Sequence, residues 1–128
     1  MEAVLVNERW RETNVAVEKY PMMVGQPPEF VKTVLYNILG ELHGHGMGRH
    51  TSDEIENIGK SDLTALSDFL GNNPYLLGSE PTSYDATAYS YVAHAIQQDY
   101  DSRMKKFIKT LPNLTGYWTR LASRLFKS

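Results

Sequence analysis

The tightest local constraint on this chain is the stretch Leu70 to Tyr91, LGNNPYLLGSEPTSYDATAYSY, which places Thr82 three residues ahead of Asp85. A helix start leaves four backbone N–H groups without partners. A threonine at the N-cap accepts from one of them, and an acid at the third helical position reaches back to another. The pair predicts a helix from Thr82 to about Gln97, with the carboxylate further favoured by the positive end of the helix dipole. Behind it stand Ala86, Thr87, Ala88, Ser90, Ala93 and Ala95. Helices approach as closely as their contact side chains allow, so one this thin suits the centre of a bundle.

Helical periodicity organises most of the remaining chain. After Pro28, the apolar residues Phe30, Val31, Val34, Leu35, Ile38, Leu39 and Leu42 recur at i, i+3, i+4, i+7, which predicts one buried helix face ending near His43. Gly44, Gly46 and Gly48 then supply the freedom a turn requires. Thr51 and Glu54 repeat the capping pattern, and Ile55, Ile58, Leu63, Leu66, Phe69 and Leu70 form the expected inner face of the next helix, which Gly71 stops. Asp101 or Ser102 opens a short helix that buries Met104, Phe107, Ile108 and Leu111. Asn113 is then expected to cap a last helix with Leu114, Tyr117, Trp118, Leu121 and Leu125 inward. Residues 1 to 13 carry a weaker helical pattern around Val4, Leu5, Val6 and Trp10. From Val15 to Pro28 the prolines and Gly25 predict a long connection, packed as an extended flap. The expectation is an all-α helical bundle of about six helices, in one domain over residues 1–128.

Composition narrows the function classes. With 128 residues and 41% hydrophobic side chains, the chain can bury one real core but not two. A formal charge of −2 gives no electrostatic case for nucleic acid, and Lys105, Lys106 and Lys109 read as one solvated helix face. The absence of cysteine excludes disulfides, thiolate metal sites and a cysteine nucleophile from this chain. No apolar run approaches the roughly 20 residues of a membrane span, and no signal-peptide core is present, so the expected location is cytoplasmic. Asn113-Leu114-Thr115 matches the glycosylation triplet, but its reading here is a helix cap.

The run HGHGMGRH, with His43, His45, Arg49 and His50, is where chemistry is most tempting. Three imidazoles in a short span could hold zinc or nickel, yet the spacing matches no standard ligand pattern. An anion cradle of backbone N–H groups is a second reading, but the run lacks a phosphate loop's lysine and its preceding strand. A glycine turn with polar caps is the third. Arg49 remains available to a carboxylate of the chain or of a ligand. Trp10, Tyr36, Tyr84, Tyr89, Tyr91 and Trp118 read mainly as core, some of them lining an apolar pocket. No nucleophile elbow or paired carboxylate has motif context, so no active site is expected.

One resemblance joins these motifs. Gly78, Thr82 and Asp85 in GSEPTSYDAT, preceded by PYLLG, resemble the buried capping motif in the C-terminal helical domain of glutathione S-transferases. HGHGMGRHTSDEIENIG, DLTALSDFLG and PNLTGYWTRL are similar to the branch that includes the failed-axon-connections protein, the metaxins and many bacterial members. The likeness runs from about Trp10 to Leu121. It implies the C-terminal half of a transferase fold, whose thiol tripeptide is handled by a thioredoxin-like domain that nothing here resembles. By that likeness the chain supplies the pocket for a hydrophobic co-substrate and a dimer surface, and is not catalytic alone. Trp10, Tyr36 and Arg49 are the expected substrate-binding residues, and Thr82 and Asp85 the structural cap. No metal or cofactor is expected in this chain, with glutathione implied for a full-length homologue. Expected partners are a hydrophobic small molecule, a second copy or a thioredoxin-like domain. The alternative is a non-enzymatic interaction module of the metaxin type.

Overall fold

A computed structural model of the chain describes residues 1–126. Helices follow one another along it: α1 (Glu2–Val6), which runs into a π-helix (Asn7–Glu12), α2 (Val15–Lys19), α3 (Pro28–Gly44), a 3-10 turn (Met47–Arg49), α4 (Ser52–Leu70), α5 (Ser83–Ile96), α6 (Arg103–Ile108) and α7 (Pro112–Leu125). Among the described residues no strand forms, and the sole β feature is an isolated bridge between Tyr75 and Gly78. The architecture is therefore all-α. The chain divides into two compact units, Met1–Asn57 and the residues from Ile58 onward, with α4 running through the division.

In the first unit the buried apolar side chains are Val4, Leu5, Ala16, Met23, Leu42 and Ile55. The weak pattern of residues 1 to 13 has a structural origin, because the helix widens to π geometry after Val6 and loses the 3.6 period. Asn7 Nδ2 donates to Glu12 Oε1 at 2.9 Å, one π turn on, and Thr13 N–H donates to the Glu8 carbonyl at 3.1 Å. The connection expected to be extended instead forms one helical turn, α2. The Thr13 hydroxyl accepts Val15 N–H at 3.3 Å and the Asn14 carbonyl accepts Glu18 N–H at 2.9 Å, so the turn closes before the first proline is reached. Between α2 and α3, residues 20–27 are irregular, with Gly25 at φ 77°.

The boundaries of α3 follow its sequence period, but its burial does not. Of the predicted face only Leu42 is buried. Val31, Val34, Leu35, Ile38 and Leu39 are half-covered and Phe30 is 45% exposed. Periodicity identifies a face without supplying a partner for it, and the neighbours of α3 are the π-helix and the 3-10 turn. That turn folds tightly against the end of α3. Gly46 sits at φ 94°, and a Cβ on Gly48 would lie 2.6 Å from the His43 backbone nitrogen. At α4 the Thr51 hydroxyl accepts Glu54 N–H at 3.2 Å, and the Glu54 carboxylate accepts Thr51 N–H at 2.9 Å.

In the second unit α5 packs on α6 and α7. Its small residues Ala88, Ala93 and Ala95 are buried together with Val92, as are Leu63 and Leu70 of α4, Met104 and Ile108 of α6, and Leu114, Tyr117 and Leu121 of α7. The Tyr91 hydroxyl donates to Asp62 Oδ2 at 3.2 Å, joining α5 to α4. Burial and the neighbouring Asp62 charge push that phenol's pKa up. Ser102 caps α6 by accepting Lys105 N–H at 3.4 Å. Three expectations change. Phe69 and Leu125 are 65% and 52% exposed rather than inward. Asn113 does not cap its own helix, which begins at Pro112, but closes the C-terminus of α4: its Nδ2 donates to the carbonyls of Ser67 and Gly71 at 2.9 and 3.1 Å, and its Oδ1 accepts from the Ser67 hydroxyl at 2.7 Å. Proline at N1 needs no N–H partner, which frees the asparagine for the neighbouring helix end. No helix among the described residues is long and apolar enough to cross a membrane.

Candidate functional site

The first unit contains a cavity of about 640 Å³. Its walls follow from helix geometry. On α1 and the π-helix, Ala3, Val6 and Trp10 lie along one stripe, with Glu2 and Arg9 beside them. On α3, Ile38, Glu41 and Leu42 continue into His45 at i, i+3, i+4 and i+7. Tyr20 and Met47 complete the lining. The Trp10 and Tyr20 rings meet edge to face, with centroids 5.9 Å apart and an interplanar angle of 71°, a favoured aromatic arrangement. Arg9 forms an ion pair with Glu2 and donates its Nε–H to the Leu5 carbonyl at 3.2 Å.

Of the residues singled out in the sequence, the structure places Trp10 on the cavity wall and the other two elsewhere. Tyr36 is 80% exposed. It precedes Ile38 by two positions, about 200° around the helix, and so falls on the far side of α3. Arg49 donates its Nε–H to the His43 carbonyl at 3.1 Å and closes the turn. The histidines of that turn are dispersed. His45 lines the cavity, His50 Nδ1 lies 3.2 Å from Glu54 Oε2, and His43 is exposed. Among the described residues no three His, Cys, Asp or Glu side chains gather as a metal-binding group. The Glu54 carboxyl is held below its usual range, first by the Thr51 N–H and then by His50. Sequence reasoning missed Glu2, Arg9, Tyr20 and Glu41 at the cavity. An apolar-period search passes over them because their side chains are polar or aromatic, although Glu41 shares the Ile38–Leu42 stripe.

The second notable group is centred on Asp85, which is 1% exposed. Its Oδ2 accepts Thr82 N–H at 2.7 Å, and its Oδ1 accepts Leu76 N–H at 3.0 Å and the Tyr117 hydroxyl at 2.7 Å. Asp85 N–H donates to the Thr82 carbonyl at 3.0 Å, and the Thr82 hydroxyl lies 3.5 Å from Oδ2. Burial raises the Asp85 pKa, but the three donors outweigh it and leave the group below its usual range. The same burial and the carboxylate push the Tyr117 phenol up, so it keeps its proton and donates. One carboxylate thus ties the loop before α5, the start of α5 and the middle of α7. Arg120 adds to that loop by donating to the Pro74 carbonyl at 2.7 Å.

An all-α unit built around a buried aspartate at the start of a small-residue helix is the arrangement that the resemblance to a transferase-type C-terminal domain implies. Residues 59–121 match the family described as glutathione S-transferase, C-terminal domain, and the chain belongs to that family, in its failed-axon-connections and metaxin branch. It is 34% identical over 89 residues to Failed axon connections of Drosophila melanogaster, covering 67% of this chain and 21% of that protein. Against the isoprene-epoxide glutathione S-transferase of Rhodococcus sp. (strain AD45) it is 36% identical over 84 residues, covering 66% of this chain and 35% of that enzyme. Human metaxin-1 is 31% identical over 87 residues, covering 62% of this chain and 19% of metaxin-1. The chain therefore spans between about a fifth and a third of these relatives' lengths. No solved structure matches it. The segment matched to the family lies in the second unit, whereas the cavity lies in the first.

Proposed function

We propose that the chain works as a single glutathione S-transferase C-terminal-like domain that binds the apolar co-substrate of a transferase in the cavity between α1, the π-helix and α3. The observation that carries this reading is the cavity itself, whose volume and largely apolar, aromatic lining suit one small organic molecule. Its relationship to a glutathione transferase supports the assignment. Glutathione is held by a thioredoxin-like domain, in the same protein or a partner, and the setting is cytoplasmic. Trp10 packs against the co-substrate. Arg49 shapes the turn that carries His45 and Met47, and Tyr36 belongs to an outer surface suited to a second copy. Thr82 and Asp85 serve the fold by fixing the start of α5. Calorimetric titration with a neutral aromatic alcohol, 1-naphthalenemethanol, tests the reading. Binding that weakens about tenfold in Trp10→Ala is expected from loss of a large aromatic contact, and no heat for the unaltered chain would refute it.

A second reading, a non-enzymatic interaction module, is favoured by the half-covered apolar face of α3 and by Val24 and Phe30, which are 55% and 45% exposed. Light scattering after size exclusion separates the two. Self-association abolished by Phe30→Glu, with no binding of the alcohol, supports the module.

A further inference from the structure

The cavity's charges select among apolar ligands. Its lining carries two carboxylates, Glu2 and Glu41, against one guanidinium, Arg9. The guanidinium is already committed to Glu2 and to the Leu5 carbonyl. Glu41 has no ion pair or hydrogen bond to its carboxylate among the described residues, so it is the uncompensated charge at the site. The rings of Trp10 and Tyr20, packed edge to face, line the same cavity. Aromatic faces carry negative potential and attract cations, most strongly where water is displaced. A concave, low-dielectric wall with an excess of one charge also concentrates ions of the other sign.

Resting on the cavity reading above, we infer that the ligand is an organic cation, an amine on an apolar or aromatic body, whose ammonium sits between Glu41 and the Trp10–Tyr20 pair. An organic acid of the same size would meet Glu41 with no free cation to balance it. A neutral molecule would shield the Glu41 carboxylate from water and return nothing. The aliphatic patch formed by Val6, Ile38 and Leu42 takes the body of the ligand. Because His45, which caps the end of α3, lies one turn beyond Glu41, a bulky substituent on the amine would contact His45.

Three ligands of one shape decide the matter in calorimetric titrations of the full chain: 1-naphthylmethylamine, 1-naphthalenemethanol and 1-naphthoate. The amine is expected to bind about fivefold more tightly than the alcohol, in line with a partly desolvated cation–π and carboxylate contact, and the acid is expected to bind most weakly. Glu41→Gln should erase the advantage of the amine over the alcohol. Glu29→Gln, on the same helix but outside the cavity, should change neither. Equal affinities for amine and alcohol, or equal effects of the two glutamate variants, would overturn the charge selection while leaving the cavity reading intact. Failure of all three ligands to bind would remove both.

Discussion

Replacing Asp85 by alanine removes one side chain but strands three donors: Leu76 N–H, Thr82 N–H and the Tyr117 hydroxyl. A lost cap alone costs about 1 kcal/mol, whereas leaving several buried donors unmet raises the expected loss to about 2–4 kcal/mol in urea denaturation. Tyr117→Phe removes a single bond to the carboxylate and should cost about 1–2 kcal/mol. The same carboxylate makes stability acid-sensitive. Its folded pKa lies below the unfolded value, so its contribution is fully present above about pH 4 and fades as pH falls through the folded value. The stability gap between the unaltered chain and Asp85→Asn should therefore shrink between pH 7 and pH 3, as chemical denaturation at each pH would measure. At Gly48 the constraint is steric. A methyl group would meet the backbone of Leu42 and His43 at 2.6 to 2.9 Å, and Gly48→Ala should cost about 1–3 kcal/mol, visible as a lowered melting temperature.

At the scale of elements, the helices were legible where period and punctuation agreed. Pro28 begins α3, Thr51 stands just before α4, Ser102 caps α6, and α5 spans almost the expected residues. Legibility failed where the backbone left the 3.6 period, as in the π-helix, or where a helix is one turn long, as in α2. Asn113 is the instructive case. Its sequence position suggested a local cap, but its side chain serves the end of α4, a contact set by the packing of two helices rather than by neighbouring residues. Asn113→Ala should leave α7 intact and fray the last turn of α4. Hydrogen exchange should then show faster amides near Leu70 and a global loss of about 1–2 kcal/mol.

For the molecule as a whole, the proposed division of labour makes a direct claim about activity. Without a thioredoxin-like domain to hold and activate the thiol, the chain alone should show no conjugation of glutathione to 1-chloro-2,4-dinitrobenzene above the uncatalysed rate. A spectrophotometric assay checks this, and turnover by the isolated chain would require a thiol site of its own. The cavity was barely legible beforehand. Trp10 could be suspected as a large aromatic in a weak helix, but Ile38, Glu41, Leu42, His45 and Met47, which line the cavity with it, stand far from it along the chain.

The sequence by itself determined which of the longer segments are helical, where most of those start, and that Asp85 and the small residues behind it belong at a helix origin. Those are local matters, settled by backbone valence, side-chain volume and a repeat of 3.6 residues. Only the tertiary structure decided that Asp85 also takes donors from Leu76 and Tyr117, that Asn113 closes another helix, that the apolar face of α3 is half bare, and that Glu41, Trp10 and Tyr20 line one cavity. Each of these joins groups distant in sequence. Their meeting depends on how the helices pack, which the local pattern of any one segment does not encode.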